Sequence, residues 1–107
     1  RLCVSHGGGA IALLAGRFSE AAAKRPWASA ELREPGAFMQ RLQKLWFDNH
    51  LHSDDAVELL EKQVGRERLV LGTNFAGWDQ PASGGKLEAP LWLADNARRL
   101  LGRKDWT

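Results

Sequence analysis

The sequence has few of the features that mark secreted, membrane-bound or nucleic-acid-binding chains. Cys3 is the single cysteine among 107 residues, so no internal disulfide can form and nothing points to secretion. No apolar run approaches the roughly 20 residues that a membrane-spanning helix needs, and no signal-peptide pattern is present. The formal net charge is only +2, and the basic residues are dispersed, as on a solvated surface. We therefore expect a cytoplasmic protein with neither a nucleic-acid nor a membrane partner.

The apolar pattern predicts three strands, each followed by a helix. Short apolar runs at 2–4, 45–49 and 68–73 are typical of buried strands, and three-and-four spacing predicts helices over 10–24, after Ser53 and after Pro90. Such an order is typical of an α/β fold with a parallel sheet and right-handed crossovers. We expect the first strand to be buried on both faces, with Cys3 as a small core residue.

Three parallel strands cannot close a barrel or cover their own edges. The chain also enters a strand almost at once after Arg1. We therefore expect a fragment of a larger sheet, with edges that invite pairing with missing strands or with a second copy. A homo-oligomer is the corresponding prediction for the assembly.

Polar side chains follow each predicted strand. His6 ends the first strand and precedes three glycines, which allow a sharp turn into the helix. Asn74 and Trp78 follow the third strand, at the start of a stretch over 74–89 that has no periodicity. Because ligands bind at the carboxyl ends of parallel strands, we expect these residues to lie at the functional edge of the sheet.

The second strand runs into two histidines with alternating spacing. Alternation places His50 and His52 on one face, so a metal pair is conceivable by spacing alone. The simpler interpretation, which we favour, is a surface histidine beside a helix start. Ser53 is a good N-cap, and Asp54 and Asp55 complement the helix dipole, which makes them capping residues rather than a catalytic pair.

Four motifs in order carry a family resemblance. They are SHGGGAI at 5–11, FDNHLHS at 47–53, VLGTNF at 70–75 and DNARRLLG at 95–102. Together they resemble the last three βα units of the amidohydrolase-related (amidohydrolase 2) family, and within it the decarboxylases of the aminocarboxymuconate-semialdehyde type. The resemblance implies a partial (β/α)8 TIM barrel, with the whole chain, 1–107, as its C-terminal portion.

The resemblance also implies roles for individual residues. His6 matches the histidine that acts as acid/base on a metal-bound water, and a divalent metal, zinc by expectation, is the implied cofactor. Asn74 stands where the family has its aspartate metal ligand, and an uncharged amide oxygen should bind zinc more weakly. His52 and Trp78 are expected to line the pocket. Asp79 is a remote alternative ligand.

The family's remaining histidine ligands have no counterpart in this chain. We therefore expect the chain alone to lack the metal centre and to be inactive, although it derives from a hydrolase or carboxy-lyase that acts on a small carboxylated molecule. The alternative is a non-catalytic α/β scaffold that associates through its sheet edges. A third hypothesis combines His50 and His52 with His6 as a new zinc site.

Overall fold

The computed structural model describes residues 1–79 and 89–103. Three strands and three helices alternate along these residues, and a fourth helix lies between the first two strands. Their bounds are β1 Cys3–Val4, α1 Ile11–Lys24, α2 Ala37–Leu42, β2 Trp46–Asp48, α3 Asp54–Val64, β3 Leu69–Val70 and α4 Leu91–Leu101. Single 3-10 turns cover His6–Gly8, Ala30–Arg33 and Arg66–Arg68. The predicted α/β class is confirmed.

The three strands form one parallel sheet in the order β1-β2-β3. Cys3 pairs with Trp46, and Phe47 pairs with Leu69, so β2 lies at the centre. Since all three strands point the same way, the segments that follow them meet at one edge. The closed barrel that the resemblance implies stays an expectation.

The core lies between β2, β3 and the helices. Phe47 of β2 is 1% exposed, and Leu60 of α3 and Leu69 of β3 are fully buried beside it. Helix α1 contributes mainly its alanines, because Ala12 and Ala15 face the core. The larger Phe18 is 40% exposed. Its ring lies beside that of Phe38, with 6.2 Å between the ring centroids.

The expectation that β1 is buried on both faces is wrong. Leu2 is 61% exposed, and the Cys3 side chain is exposed rather than part of the core. The physical reason is that β1 is an edge strand, with only β2 beside it among the described residues. An apolar run alone does not reveal whether both faces of its strand are covered.

The predicted helix starts after Ser53 and Pro90 agree closely with the structure. The Ser53 hydroxyl accepts a hydrogen bond from the Ala56 backbone N–H, which confirms the N-cap, and Asp54 and Asp55 occupy the first turn. Pro90 is the residue before α4, and Gly102 ends it in the left-handed conformation. The middle of the aperiodic stretch, 80–88, lies outside the described residues. None of the helices among the described residues combines the length and the apolar character of a membrane span.

Candidate functional site

Three strand ends bring polar residues together at the carboxyl edge of the sheet. His6 follows β1, His50 and His52 follow β2, and Asn74 to Asp79 follow β3. The prediction that these segments meet at one edge is confirmed. The site is therefore built by the parallel topology, although its members are far apart in sequence.

Two histidines converge on one carboxylate oxygen. Nε2 of His50 lies 2.9 Å from Oδ2 of Asp79, and Nε2 of His52 lies 3.0 Å from the same oxygen. The two imidazole rings are 4.5 Å apart in an edge-to-face arrangement. The His50 side chain is only 6% exposed and that of Asp79 is 12% exposed, whereas His52 is open to solvent. The cluster thus has a buried side and an accessible side.

Asn74 fixes the other oxygen of this carboxylate. Its Nδ2 donates a hydrogen bond to Oδ1 of Asp79, which leaves Oδ2 to the two histidines. Hydrogen bonds from His52, Asn74 and His50, in that order of effect, hold the pKa of Asp79 well below its usual range. The carboxylate is therefore ionised at neutral pH.

Asp48, the last residue of β2, organises the neighbouring backbone. Its Oδ1 accepts hydrogen bonds from the N–H of Gly7 at 3.1 Å and from the N–H of His50 at 3.0 Å. One carboxylate oxygen thus ties the glycine turn after β1 to the first histidine after β2. The ring of His6 lies 5.7 Å from that of His50, measured between centroids.

Gly72, which follows β3, allows the backbone there to lie close to Asp48 and His50. A Cβ at Gly72 would lie 2.8 Å from Cβ of Asp48 and 2.9 Å from Cβ of His50. Asn49 completes this contact, because its Oδ1 accepts a hydrogen bond from the Gly72 N–H at 3.0 Å. The absence of a side chain at position 72 lets the segment after β3 approach both residues.

The backbone at the site is strained at four residues. His6, His52, Asn74 and Ala76 all have positive φ angles, of 52°, 52°, 47° and 63°. This left-handed region is unfavourable for residues with a Cβ, and such conformations persist only where the surroundings impose them. The four residues follow three different strands, so the strain is spread around the site.

The structure agrees with some of the sequence predictions for this site and differs from others. The favoured interpretation, a surface histidine beside a helix start, describes His52, which is exposed next to the Ser53 cap. It does not describe His50, which is buried because it follows the central strand. Asp79, a remote alternative from sequence, is in contact with both histidines. Trp78 lies nearby in the chain but is 95% exposed, and its predicted role in lining a pocket stays a prediction, as do those of His6 and Asn74.

The donor set of the cluster suits a metal ion. His50, His52 and Asp79 each offer one ligand atom, and these three atoms lie within 4.8 Å of one another. Two imidazole nitrogens and one carboxylate oxygen are common ligands of zinc and of other first-row transition metals. The residues therefore fit the class of cofactor that the sequence resemblance implies.

Comparison with curated proteins identifies two relatives, both named 2-amino-3-carboxymuconate-6-semialdehyde decarboxylase. The chain is 37% identical over 76 residues to the one from Caenorhabditis elegans and 28% identical over 75 residues to the one from Dictyostelium discoideum. Each match covers 70% of this chain, but only 18% and 21% of the respective relatives. No family model matches the chain. The resemblance drawn from the four motifs is confirmed, and the chain spans about a fifth of the length of these relatives.

Proposed function

This chain is a partial relative of the 2-amino-3-carboxymuconate-6-semialdehyde decarboxylases. We propose that it supplies part of the active site of a non-oxidative decarboxylase that acts on a small carboxylated molecule. The observation that carries this proposal is the convergence of His6, His50 and Asp79 at the carboxyl edge of the sheet. Decarboxylation and hydrolysis both suit such a site, and the names of the relatives favour decarboxylation.

The proposed chemistry needs a proton at a defined place. Loss of CO2 breaks a carbon–carbon bond and leaves its electron pair on the substrate, so a proton must then reach that carbon. His6 is suited to deliver it, because its ring is exposed at the edge of the site and imidazole exchanges protons near neutral pH. The proton is then replaced from water, and no oxidant is consumed.

A divalent metal, zinc by expectation, supplies a Lewis acid in a site of this kind. The residues of this chain hold the parts of the site in position. Asp48 holds the turn that carries His6 against the end of β2, and Trp78, one residue before Asp79, exposes an apolar ring in the loop after β3. These features support a pocket that is polar at the sheet edge and apolar towards the loop after β3.

The test is decarboxylase activity of the complete gene product, followed as CO2 release from 2-amino-3-carboxymuconate-6-semialdehyde. His6→Asn is the informative variant, because asparagine tolerates the positive φ of this position. We expect kcat to fall by about 100-fold to 10,000-fold, the usual effect of losing a general acid. Asp95→Asn, on the exposed surface of α4, is the control and should keep full activity.

Two outcomes would refute the proposal. One is a folded wild-type product that releases no CO2 with any first-row divalent metal. The other is a His6→Asn variant as active as Asp95→Asn, which would remove His6 from the chemistry.

A further inference from the structure

We propose that His50, His52 and Asp79 form a binding site for a first-row divalent transition metal, with zinc as the preferred ion, made entirely of residues of this chain. The sequence resemblance placed the metal ligand at Asn74 and the other ligands outside the chain. The observed geometry instead assigns the ligand role to a histidine pair and an aspartate that the sequence pattern did not connect. The proposal rests on ligand geometry and is independent of the proposed decarboxylation.

Two of the distances between the ligand atoms are close to those that zinc requires. Oδ2 of Asp79 lies 2.9 Å from Nε2 of His50 and 3.0 Å from Nε2 of His52. Tetrahedral zinc with bonds of about 2.0–2.1 Å places neighbouring ligand atoms about 3.3 Å apart. These two separations need to open by only a few tenths of an ångström, and all three ligand atoms lie within 4.8 Å of one another.

The carboxylate is already oriented for single-oxygen coordination. Asn74 donates to Oδ1 of Asp79, so that Oδ2 points to the two histidines. Outer hydrogen bonds of this kind fix the orientation of ligands and raise metal affinity. Asn74 thus has the role of a positioning residue that holds the ligand at position 79.

The two histidines are held by different contacts. Asp48 accepts a hydrogen bond from the His50 N–H, and the His50 side chain is 6% exposed. His52 has a positive φ of 52°, and its Nε2 lies 3.0 Å from Oδ2 of Asp79. Such conformations are commonly found where a site requires them.

The donor set also predicts selectivity. Imidazole nitrogen favours zinc, copper, nickel and iron, whereas magnesium and calcium prefer sites made of oxygen. Three protein ligands leave a fourth position open, which is typical of catalytic rather than structural zinc. His52 is then a metal ligand, in place of the pocket-lining role that the resemblance implied.

A hydrogen-bonded His–Asp–His cluster that binds no ion is the competing explanation of the same distances. The two explanations differ in one measurable property, which is saturable binding of one zinc ion per chain. Direct titration of the tag-free chain with Zn²⁺, in competition with a chromophoric chelator, measures it. Mg²⁺ under the same conditions is the control ion.

Three variants locate the ion. Asp79→Asn removes the charged ligand, and His52→Asn removes one imidazole while tolerating the positive φ. Asp95→Asn makes the same chemical change as Asp79→Asn at an exposed ion pair with Arg98. We expect zinc affinity to fall by at least 100-fold in the first two variants and to remain within twofold in the third. Asn74→Gly, which also suits a positive φ, should lower affinity about 10-fold to 100-fold.

Circular dichroism recorded during each titration separates ligand loss from unfolding. One saturable Zn²⁺ site, no competition by Mg²⁺ and selective loss in Asp79→Asn and His52→Asn support the proposal. A chain that gains helical signal on adding Zn²⁺, with Asp79→Asn failing to respond, supports it as well. Absence of saturable binding, or equal affinities in Asp79→Asn and Asp95→Asn, overturns it. Each readout is independent of catalysis, so failure of the metal site and failure of the proposed decarboxylation are distinguishable.

Discussion

The carboxylate of Asp48 accepts a hydrogen bond from the backbone N–H of Gly7, 41 positions away in the sequence, at 3.1 Å. This single contact joins the turn that carries His6 to the central strand. The same oxygen accepts from the His50 N–H, so one side chain sets the relative positions of residues from two strand ends.

Replacing Asp48 with alanine should therefore both destabilise the chain and release His6. Two N–H groups in a partly buried position would lose a charged acceptor, which costs about 1.5–3 kcal/mol. Urea denaturation measures the loss, and the ring resonances of His6 and His50 report the change in their contact. Asp48→Asn keeps an acceptor oxygen and should lose about half as much. Equal stabilities of Asp48→Ala and the wild type would show that these bonds contribute little.

The glycine turn offers a matched pair of variants. Gly7 and Gly9 both have positive φ, at 58° and 62°, but an added Cβ would lie 2.6 Å from Leu51 Cδ1 at position 7 and would meet nothing within 4 Å at position 9. We expect Gly9→Ala to cost about 1–2 kcal/mol of backbone strain. Gly7→Ala should cost about 1–3 kcal/mol more, because of overpacking.

The added cost at position 7 should depend on the neighbouring side chain. A Gly7→Ala, Leu51→Ala double variant removes the crowding, so the two changes should be less than additive in chemical denaturation. Strict additivity would contradict the observed contact between the turn and Leu51.

Asn96 is a buried polar residue on α4 that connects this helix to β3. It is 2% exposed, and its Nδ2 donates to the carbonyl oxygens of Arg66 at 2.9 Å and Leu69 at 2.7 Å. Asn96→Ala leaves both carbonyls short of a donor, and we expect a loss of about 1–3 kcal/mol in the free energy of unfolding. The exposed Gln40→Ala variant on α2 should change it by less than about 0.5 kcal/mol. A comparable small change in both variants would contradict the structural role of Asn96.

Cys3 should react slowly with alkylating reagents at neutral pH. Although Cys3 lies at the surface, partial desolvation of its thiol by neighbouring atoms, and secondly the negative charge of Asp48, raise the pKa of Cys3 above its ordinary value. Since the thiolate is the reactive form, the midpoint of the rate against pH should lie above that of an unstructured cysteine peptide.

Removing the neighbouring charge tests the cause. Asp48→Asn should lower the midpoint for Cys3 part of the way to the peptide value, because burial remains. A wild-type midpoint below that of the peptide would contradict a raised pKa of the Cys3 thiol.

The order of helices and strands could be predicted from sequence because it depends on local signals. The Ser53 cap, the glycine after α4 and the apolar runs of β2 and β3 each fix an element with little help from distant residues. The exposure of Cys3 could not be predicted, since an apolar run does not show whether its strand has a neighbouring strand on one side or on both.

The candidate site was only partly predictable. Parallel topology correctly brings His6 and His50 to one edge, but the contact of Asp79 with both histidines depends on the loop after β3, which has no periodic pattern. The burial of Asn96 is indicated by its spacing, because it lies three residues after Leu93 and four before Leu100, on the inward face of α4. A polar residue on an apolar stripe indicates a buried hydrogen bond.

The central position of β2 gives ligand binding at this site a thermodynamic consequence for the whole chain. His50 is two residues beyond β2, and β2 pairs with both other strands. An ion bound only by the folded form adds its binding free energy to that of folding, about 2.7 kcal/mol at a free concentration one hundred times Kd. The melting temperature of the entire sheet should therefore rise with zinc concentration, so that unfolding itself reports occupancy of the site.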